Sequence, residues 1–295
     1  MRLAEQSYRG RFAPSPTGPL HFGSLVAAMG SYLDAKFHNG KWLVRIEDVD
    51  CQRAMPGAVS EILTVLESFG FEWDEEVVYQ SRRSDAYRYA LSVLEQRNRI
   101  YPCACSRKEI ADSSIRGLGG LIYPGTCRDH PPRGKESYAM RIRVTDEIIL
   151  FHDRIKGSYS QKLSSDIGDF VLRRADGIFS YQLAVVTDDA LQNITHVVRG
   201  ADLLDSTPRQ IFLQRLLGFP TPHYLHLPVV TNAFGEKLSK QTNAAPIQVE
   251  NALPQLIKSL QFLGQPTPVE MMEGDIASFW QWAQQNWRVH RVPSS

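Results

Sequence analysis

Short apolar runs alternate with longer amphipathic stretches through the first hundred residues. Residues 9–13 predict a first strand. A helix follows over about 22–37, where Ala27, Ala28 and Gly30 permit close packing. Residues 41–47, with a Val/Ile/Leu-rich body, predict a second strand. The stretch 56–69 predicts a helix with Pro56 near its first position and Gly70 at its exit. A third helix opens at Ser84 and runs to about 98. Strand alternating with helix argues for an α/β fold with a parallel sheet covered on both faces. Ligands in such folds bind outside the carboxyl ends of the strands, where residues 11–15 and 47–50 fall.

The rhythm breaks over 101–136, which holds three of the four cysteines, a Gly-Leu-Gly-Gly tract and Pro131-Pro132, the marks of an insertion. Strand patterns return at 138–144, 148–155, 169–173, 179–186 and 194–199. A helix follows with Ser206 as its cap and Pro208 in its first turn. A strand over 227–231 leads into a lysine-bearing loop, and helices over about 250–263 and 274–288 finish the chain. The expected organisation is a first half of a catalytic unit (1–100), an insertion (101–136), the remainder of the insertion with the second half (137–232), and a loop with a short helical tail (233–295).

At 43% hydrophobic and 22% charged residues the composition is that of an ordinary globular protein. No apolar run reaches the roughly 18 residues of a membrane span, and the first 25 residues lack a signal-peptide pattern. A cytoplasmic location is the expectation. The net charge of +1 hides an asymmetry: residues 97–143 carry ten Lys/Arg and four acids, a local +6 that leaves −5 for the rest. A basic surface of that kind suits a polyanionic partner.

Two stretches more than two hundred residues apart carry the chemistry. The first, Arg11-Phe-Ala-Pro-Ser-Pro-Thr-Gly-Pro-Leu-His-Phe-Gly-Ser24, reads as a strand, a Pro/Gly turn and a helix start bearing His21 and Gly23. A helix N-terminus offers unpaired N–H groups and a positive dipole end to phosphates. The second, Lys237-Leu-Ser-Lys-Gln241, is a lysine loop after a strand, able to add charge where a transferring phosphate becomes more negative. Together they resemble the HIGH and KMSKS signatures of the class I aminoacyl-tRNA synthetases, and the Arg-Phe-Ala-Pro-Ser-Pro-Thr-Gly lead-in resembles the glutamyl branch. The resemblance implies a Rossmann-like nucleotide-binding fold, with ATP contacted by His21, Gly23, Ser24, Lys237, Ser239 and Lys240, and with His21 and Lys240 as the catalytic groups. The chain departs from the motifs at Ser24, where the family has a second histidine, and at Gln241, where it has serine.

An acidic amino acid presents two carboxylates and an ammonium, so its pocket needs cations and an anion. Arg11 offers a guanidinium fork for a carboxylate, and Glu47, at the end of the second strand, offers the counter-charge. The resemblance extends the glutamate-binding set to Phe12, Ala13, Pro14, Ser15, Tyr181 and Arg199.

Cys103-Ala-Cys105 supplies two thiolates at a spacing suited to one ion, and Cys127 a third. Tyr123 and His130 compete for the fourth place. The resemblance favours Tyr123, because a short paralogue class of the glutamyl branch carries C-x-C followed by Y-x-x-x-C, and it implies one structural Zn²⁺. Cys51 stands apart.

After Gln241 come 54 residues, with three basic and four acidic side chains. Trp280, Trp282 and Trp287 are expected to pin the last helix to the body, since large aromatics mostly bury. Full glutamyl-tRNA synthetases append a long helical anticodon-reading region, so the closer resemblance is to the short paralogues. These activate L-glutamate with ATP and Mg²⁺ and transfer it to the queuosine base at the wobble position of tRNA(Asp). A monomer is expected. A truncated glutamyl-tRNA synthetase charging the 3′ end of tRNA(Glu), or a tRNA-binding paralogue without chemistry, are the alternatives.

Overall fold

In a computed structural model of the chain, the described residues are 7–113, 115–117, 120–130, 132, 134, 137–231 and 245–294. The elements run β1 (Arg9–Phe12), α1 (Phe22–Phe37), β2 (Lys41–Ile46), α2 (Ala58–Ser68), β3 (Val78–Tyr79) and α3 (Ser84–Gln96). Next come β4 (Ile100–Cys103), α4 (Arg107–Ser113), β5 (Ile115–Gly117), β6 (Gly120–Ile122) and β7 (Ala139–Ile142). β8 (Ile148–Asp153), β9 (Gly157–Lys162), α5 (Leu163–Asp166), β10 (Val171–Arg173) and α6 (Tyr181–Leu191) follow. The chain finishes with β11 (His196–Gly200), α7 (Thr207–Leu217), β12 (His223–Leu227), α8 (Ala252–Phe262) and α9 (Ile276–Asn286).

β1, β2 and β3 pair in parallel, as do β11 and β12. The Thr195 N–H donates to the Arg9 carbonyl at 3.0 Å and ties the head of β11 to β1. Side chains alternate between two cores, as a pleated strand requires. Trp42, Val44 and Ile46 of β2 join the apolar cluster that contains α1, whereas Leu43 joins the one that contains α3, α6 and α7. Val198, Leu225 and Leu227 go with the first, Val197 and Tyr224 with the second. The parallel sheet is thus covered on both faces, as expected. Gly30 of α1 makes one close approach possible: a Cβ there would lie 2.5 Å from Leu227 Cδ1.

Three expectations need correction. In the stretch 179–186, expected as a strand, the residues from Tyr181 onward form the start of α6 instead. The Ser180 side chain caps it by accepting from the Leu183 N–H, and every residue from Gln182 to Asp189 is buried. A helix buried all round shows no amphipathic period, so its Val-Val run mimicked a strand. The strand placed at 227–231 is β12, which ends at Leu227 because Pro228 has no N–H for the ladder. Ser206 stands at the head of α7 but makes no capping bond with its side chain; it accepts from Gln182 Nε2 at 3.2 Å instead.

The terminal helices dock on the α1 side of the sheet. Trp280 and Trp287 are buried, donating their indole N–H to the Phe69 carbonyl (2.8 Å) and to Asp34 Oδ1 (3.1 Å), while Trp282 is only partly buried. Among the described residues no helix is long and apolar enough to cross a membrane.

Candidate active site

A cleft of about 530 Å³ opens at the carboxyl ends of β1, β2, β11 and β12. Its lining includes Arg11, Phe12, Ala13, Pro14 and Ser15 from β1 and the turn after it, Glu47 just beyond β2, and Tyr181 and Arg199. His21, Gly23 and Ser24 at the head of α1 line the same space. Every candidate glutamate residue and the first half of the candidate ATP set therefore converge. A second opening, of about 630 Å³, lies at the opposite ends of the strands and contains none of them.

Lys237, Ser239 and Lys240 lie outside the described residues. The chain on either side of them is held at the cleft: Val230 lines it, and Pro246 bridges to His21, with the Ile247 N–H donating to the Leu20 carbonyl at 3.0 Å.

His21 is the N-cap of α1, and its Nδ1 accepts from the Ser24 N–H at 3.3 Å. A neutral ring that accepts at Nδ1 carries its proton on Nε2, which makes that atom the donor. Gly23 belongs to the same fit, since a Cβ there would lie 3.1 Å from the His21 ring.

The glutamate candidates sit on an alternating chain of charges. Arg11 Nε donates to Asp189 Oδ1 at 3.1 Å, and Arg45 Nη2 meets the same oxygen at 2.8 Å. Arg45 also reaches Glu47 Oε1 at 3.4 Å and Gln192 Oε1 at 2.8 Å. All four charged side chains are nearly or fully buried. Arg11 and Arg45 point to the α6 face of the sheet, which is why they meet Asp189. Burial alone would raise the Asp189 carboxyl, but the charges of Arg11 and Arg45 hold it below the usual carboxylate range. Burial raises Glu47, and Arg45 and Arg11 offset this only in part. The Arg11 bond uses Nε, so the two terminal nitrogens are not spent on Asp189.

Arg199 Nη1 lies 3.5 Å from the Tyr181 hydroxyl, and Nη2 donates to Thr207 Oγ1 at 2.8 Å. Asp189, Arg45 and His226, which orders Arg199 from behind, were not anticipated, nor were Thr17, Arg53 and Asp202 in the lining. The adjacent acids Asp188-Asp189 at the end of an apolar run were a usable signal, because buried carboxylates need cations.

The second candidate site is separate. The sulfur atoms of Cys103, Cys105 and Cys127 lie within 4.8 Å of one another, and the Tyr123 hydroxyl is 3.4 Å from both Cys103 and Cys105. The Tyr123 hydroxyl lies beside the sulfurs, whereas His130 is exposed. Three sulfurs and a phenol around one point fit a soft divalent ion such as zinc. The Arg141 guanidinium stacks over the Tyr123 ring at 3.9 Å and is buried, donating to the Asp169 carbonyl. Arg128 pairs with Asp169 and Arg143 with Asp129. Part of the basic stretch at 97–143 is therefore committed internally, not offered to a partner.

The family model for class I tRNA synthetases (E and Q), catalytic domain, matches residues 7–255. A glutamyl-Q tRNA(Asp) synthetase of Dechloromonas aromatica is 58% identical, over 97% of this chain and 96% of that protein. One from Chromobacterium violaceum is 55% identical, over 99% and 97%. Among solved structures, a glutamate-tRNA synthetase of Elizabethkingia anophelis is similar at a TM-score of 0.81 and 26% identity, covering 98% of this chain and 67% of that one. The parallel sheet, the cleft at its carboxyl edge and these matches agree: the chain belongs to the class I aminoacyl-tRNA synthetases, in their glutamyl and glutaminyl branch, and is an enzyme of the ligase class.

Proposed function

We infer that this enzyme activates L-glutamate with ATP as glutamyl-adenylate and transfers the glutamyl group to the queuosine base at the wobble position of tRNA(Asp). The observation that carries the first half is the meeting of Arg11, Glu47, Tyr181 and Arg199 with His21 in one cleft. The second half rests on relatives of 50–58% identity that bear the name glutamyl-Q tRNA(Asp) synthetase.

In the activation step the glutamate α-carboxylate attacks the α-phosphorus of ATP and pyrophosphate leaves. Arg11 and Arg199 take the substrate carboxylates and Glu47 its ammonium, whose charge favours the ionised form that burial disfavours. His21 Nε2 and the N–H groups at the head of α1 receive the phosphates, with Gly23 and Ser24 beside them. Lys237, Ser239 and Lys240 complete the ATP site, and Lys240 supplies charge to the leaving phosphates. Mg²⁺ accompanies ATP as substrate. Catalysis is then positioning and charge stabilisation, without a covalent nucleophile. In the transfer step a hydroxyl of the queuosine cyclopentene diol attacks the mixed anhydride and AMP departs. Cys103, Cys105, Tyr123 and Cys127 hold one structural Zn²⁺, which cross-links the segments that carry them.

The test is incubation with labelled glutamate, ATP and total tRNA from strains with and without queuosine. Label that requires queuosine supports the reading. Label on tRNA(Glu) in both preparations assigns the enzyme to 3′-end charging instead, and absence of both label and pyrophosphate exchange removes the activity.

A further inference from the structure

Behind the cleft runs a second buried polar chain, which meets the cleft lining at Arg199. Arg199 and His226 are register partners on the neighbouring strands β11 and β12, so their side chains leave the sheet on the same face. Arg199 Nε donates to His226 Nε2 at 3.1 Å. On the other side of the ring, His226 Nδ1 lies 2.7 Å from Oδ2 of Asp153, at the end of β8. Asp153 Oδ1 is itself held by the N–H groups of Ile155 and Lys156, at 3.0 and 2.8 Å. His226 and Asp153 are wholly buried, and Arg199 is 5% exposed.

The donor and acceptor chemistry leaves one arrangement. A guanidinium only donates and stays protonated, so His226 Nε2 must turn a lone pair toward Arg199. The proton of the neutral ring then sits on Nδ1, where the Asp153 carboxylate accepts it. Thr207 fits the same scheme: its Oγ1 accepts from Arg199 Nη2 at 2.8 Å, and its hydroxyl proton is directed to Nε2 (3.2 Å) or to the Leu203 carbonyl (3.4 Å). Two of the three nitrogens of Arg199 are thereby anchored on the protein, and the third, Nη1, faces Tyr181 at the cleft.

We propose that His226 is a positioning residue for the glutamate subsite: locked by Asp153 as the Nδ1–H tautomer, it fixes the plane of the Arg199 guanidinium so that Nη1 is presented to a substrate carboxylate. This rests on reading the cleft as the glutamate site. An arginine is a directional fork whose value depends on the rotamer being set before the ligand arrives. Asp153 sets it from outside the cleft, through a ring that only relays orientation.

The test has two independent arms. Long-range ¹H–¹⁵N correlation spectra of the full chain, labelled at histidine, read the His226 tautomer without any substrate. Nδ1–H is expected, and an Nε2–H ring or an imidazolium at neutral pH overturns the proposal. In pyrophosphate exchange with tRNA present, His226→Asn keeps an N–H toward Asp153 but removes the acceptor for Arg199. It should raise KM for glutamate about tenfold, the worth of one hydrogen bond to a charged group, with KM for ATP within about twofold. His226→Gln, whose carbonyl reaches the Nε2 position, should recover most of that loss. Equal rises in both KM values, or no rise for glutamate, overturn the positioning role. Should the wild-type protein show the Nδ1–H tautomer yet take up no glutamate, the reading of the cleft fails and the positioning role with it, while the tautomer stands as a feature of the fold.

Discussion

Arg11 reaches Asp189 through Nε alone, at 3.1 Å, and the carboxylate that holds it comes from a helix 178 residues further along the chain. That oxygen also takes Arg45, so one buried acid orders two arginines beneath the cleft. Removing its charge by Asp189→Asn leaves two cations facing each other in a dry interior. The expected loss is about 3 kcal/mol of stability, by analogy with breaking a buried ion pair, read as a shift in the urea midpoint. Arg11→Ala should weaken glutamate binding much more than ATP binding in calorimetry; equal losses would make Arg11 structural.

Lys240→Ala should slow ATP–pyrophosphate exchange by roughly 10²–10³, the range found when one charge-stabilising donor is lost. Exchange at the wild-type rate would remove Lys240 from the mechanism.

Acid should destabilise the fold through two histidines. Burial pushes His196 and His226 down from 6.5 to about 4 each, the former helped by the neighbouring His223 and Arg154, the latter by Arg199 against the opposing pull of Asp153. Both are neutral when folded, whereas the unfolded chain binds protons near pH 6.5, so their contribution is complete above 6.5 and is lost as pH falls toward 4. The loss is of the order of 3 kcal/mol for the wholly buried His226 across that window, and smaller for the part-exposed His196, where solvent screens the charge. Urea titrations at several pH values measure it; a stability that stays flat from pH 6.5 to about 4 would contradict the neutral folded state of these rings.

Purified protein should contain about one zinc per chain. Cys127→Ser should lose the metal and lower Tm, with less effect from Cys51→Ser, because Cys51 lies exposed and apart from the cluster. Elemental analysis and a thermal melt decide it. Equal zinc content in the two variants would exclude Cys127 as a ligand.

Much of this was readable along the chain. β1, α1, β2, α2 and α3 came from the apolar pattern together with the Pro, Gly and Ser signals at the helix ends, because each element borders a core on one or two faces. The motif residues Arg11–Ser15 and Glu47–Asp50 could be placed at strand ends, because ligands of a parallel sheet bind outside its carboxyl edge, and His21–Ser24 at the start of a helix. α6 could not be read: a helix enclosed on all sides has no polar stripe to betray its turn. Its misreading as a strand also hid Asp189, whose role depends on where that helix crosses β1 and β2.

Residue types and motif order were thus enough to indicate the fold class and the family, and through the family resemblance most of the candidate side chains that line the cleft. Only the tertiary structure decided what holds them. Asp189 under Arg11, and Asp153 behind His226 and Arg199, are joined across 178, 73 and 27 residues. Hydrogen bonds at such separations exist only once the sheet and its covering helices are packed, since a buried charge has to find its partner in space and leaves no period in the sequence.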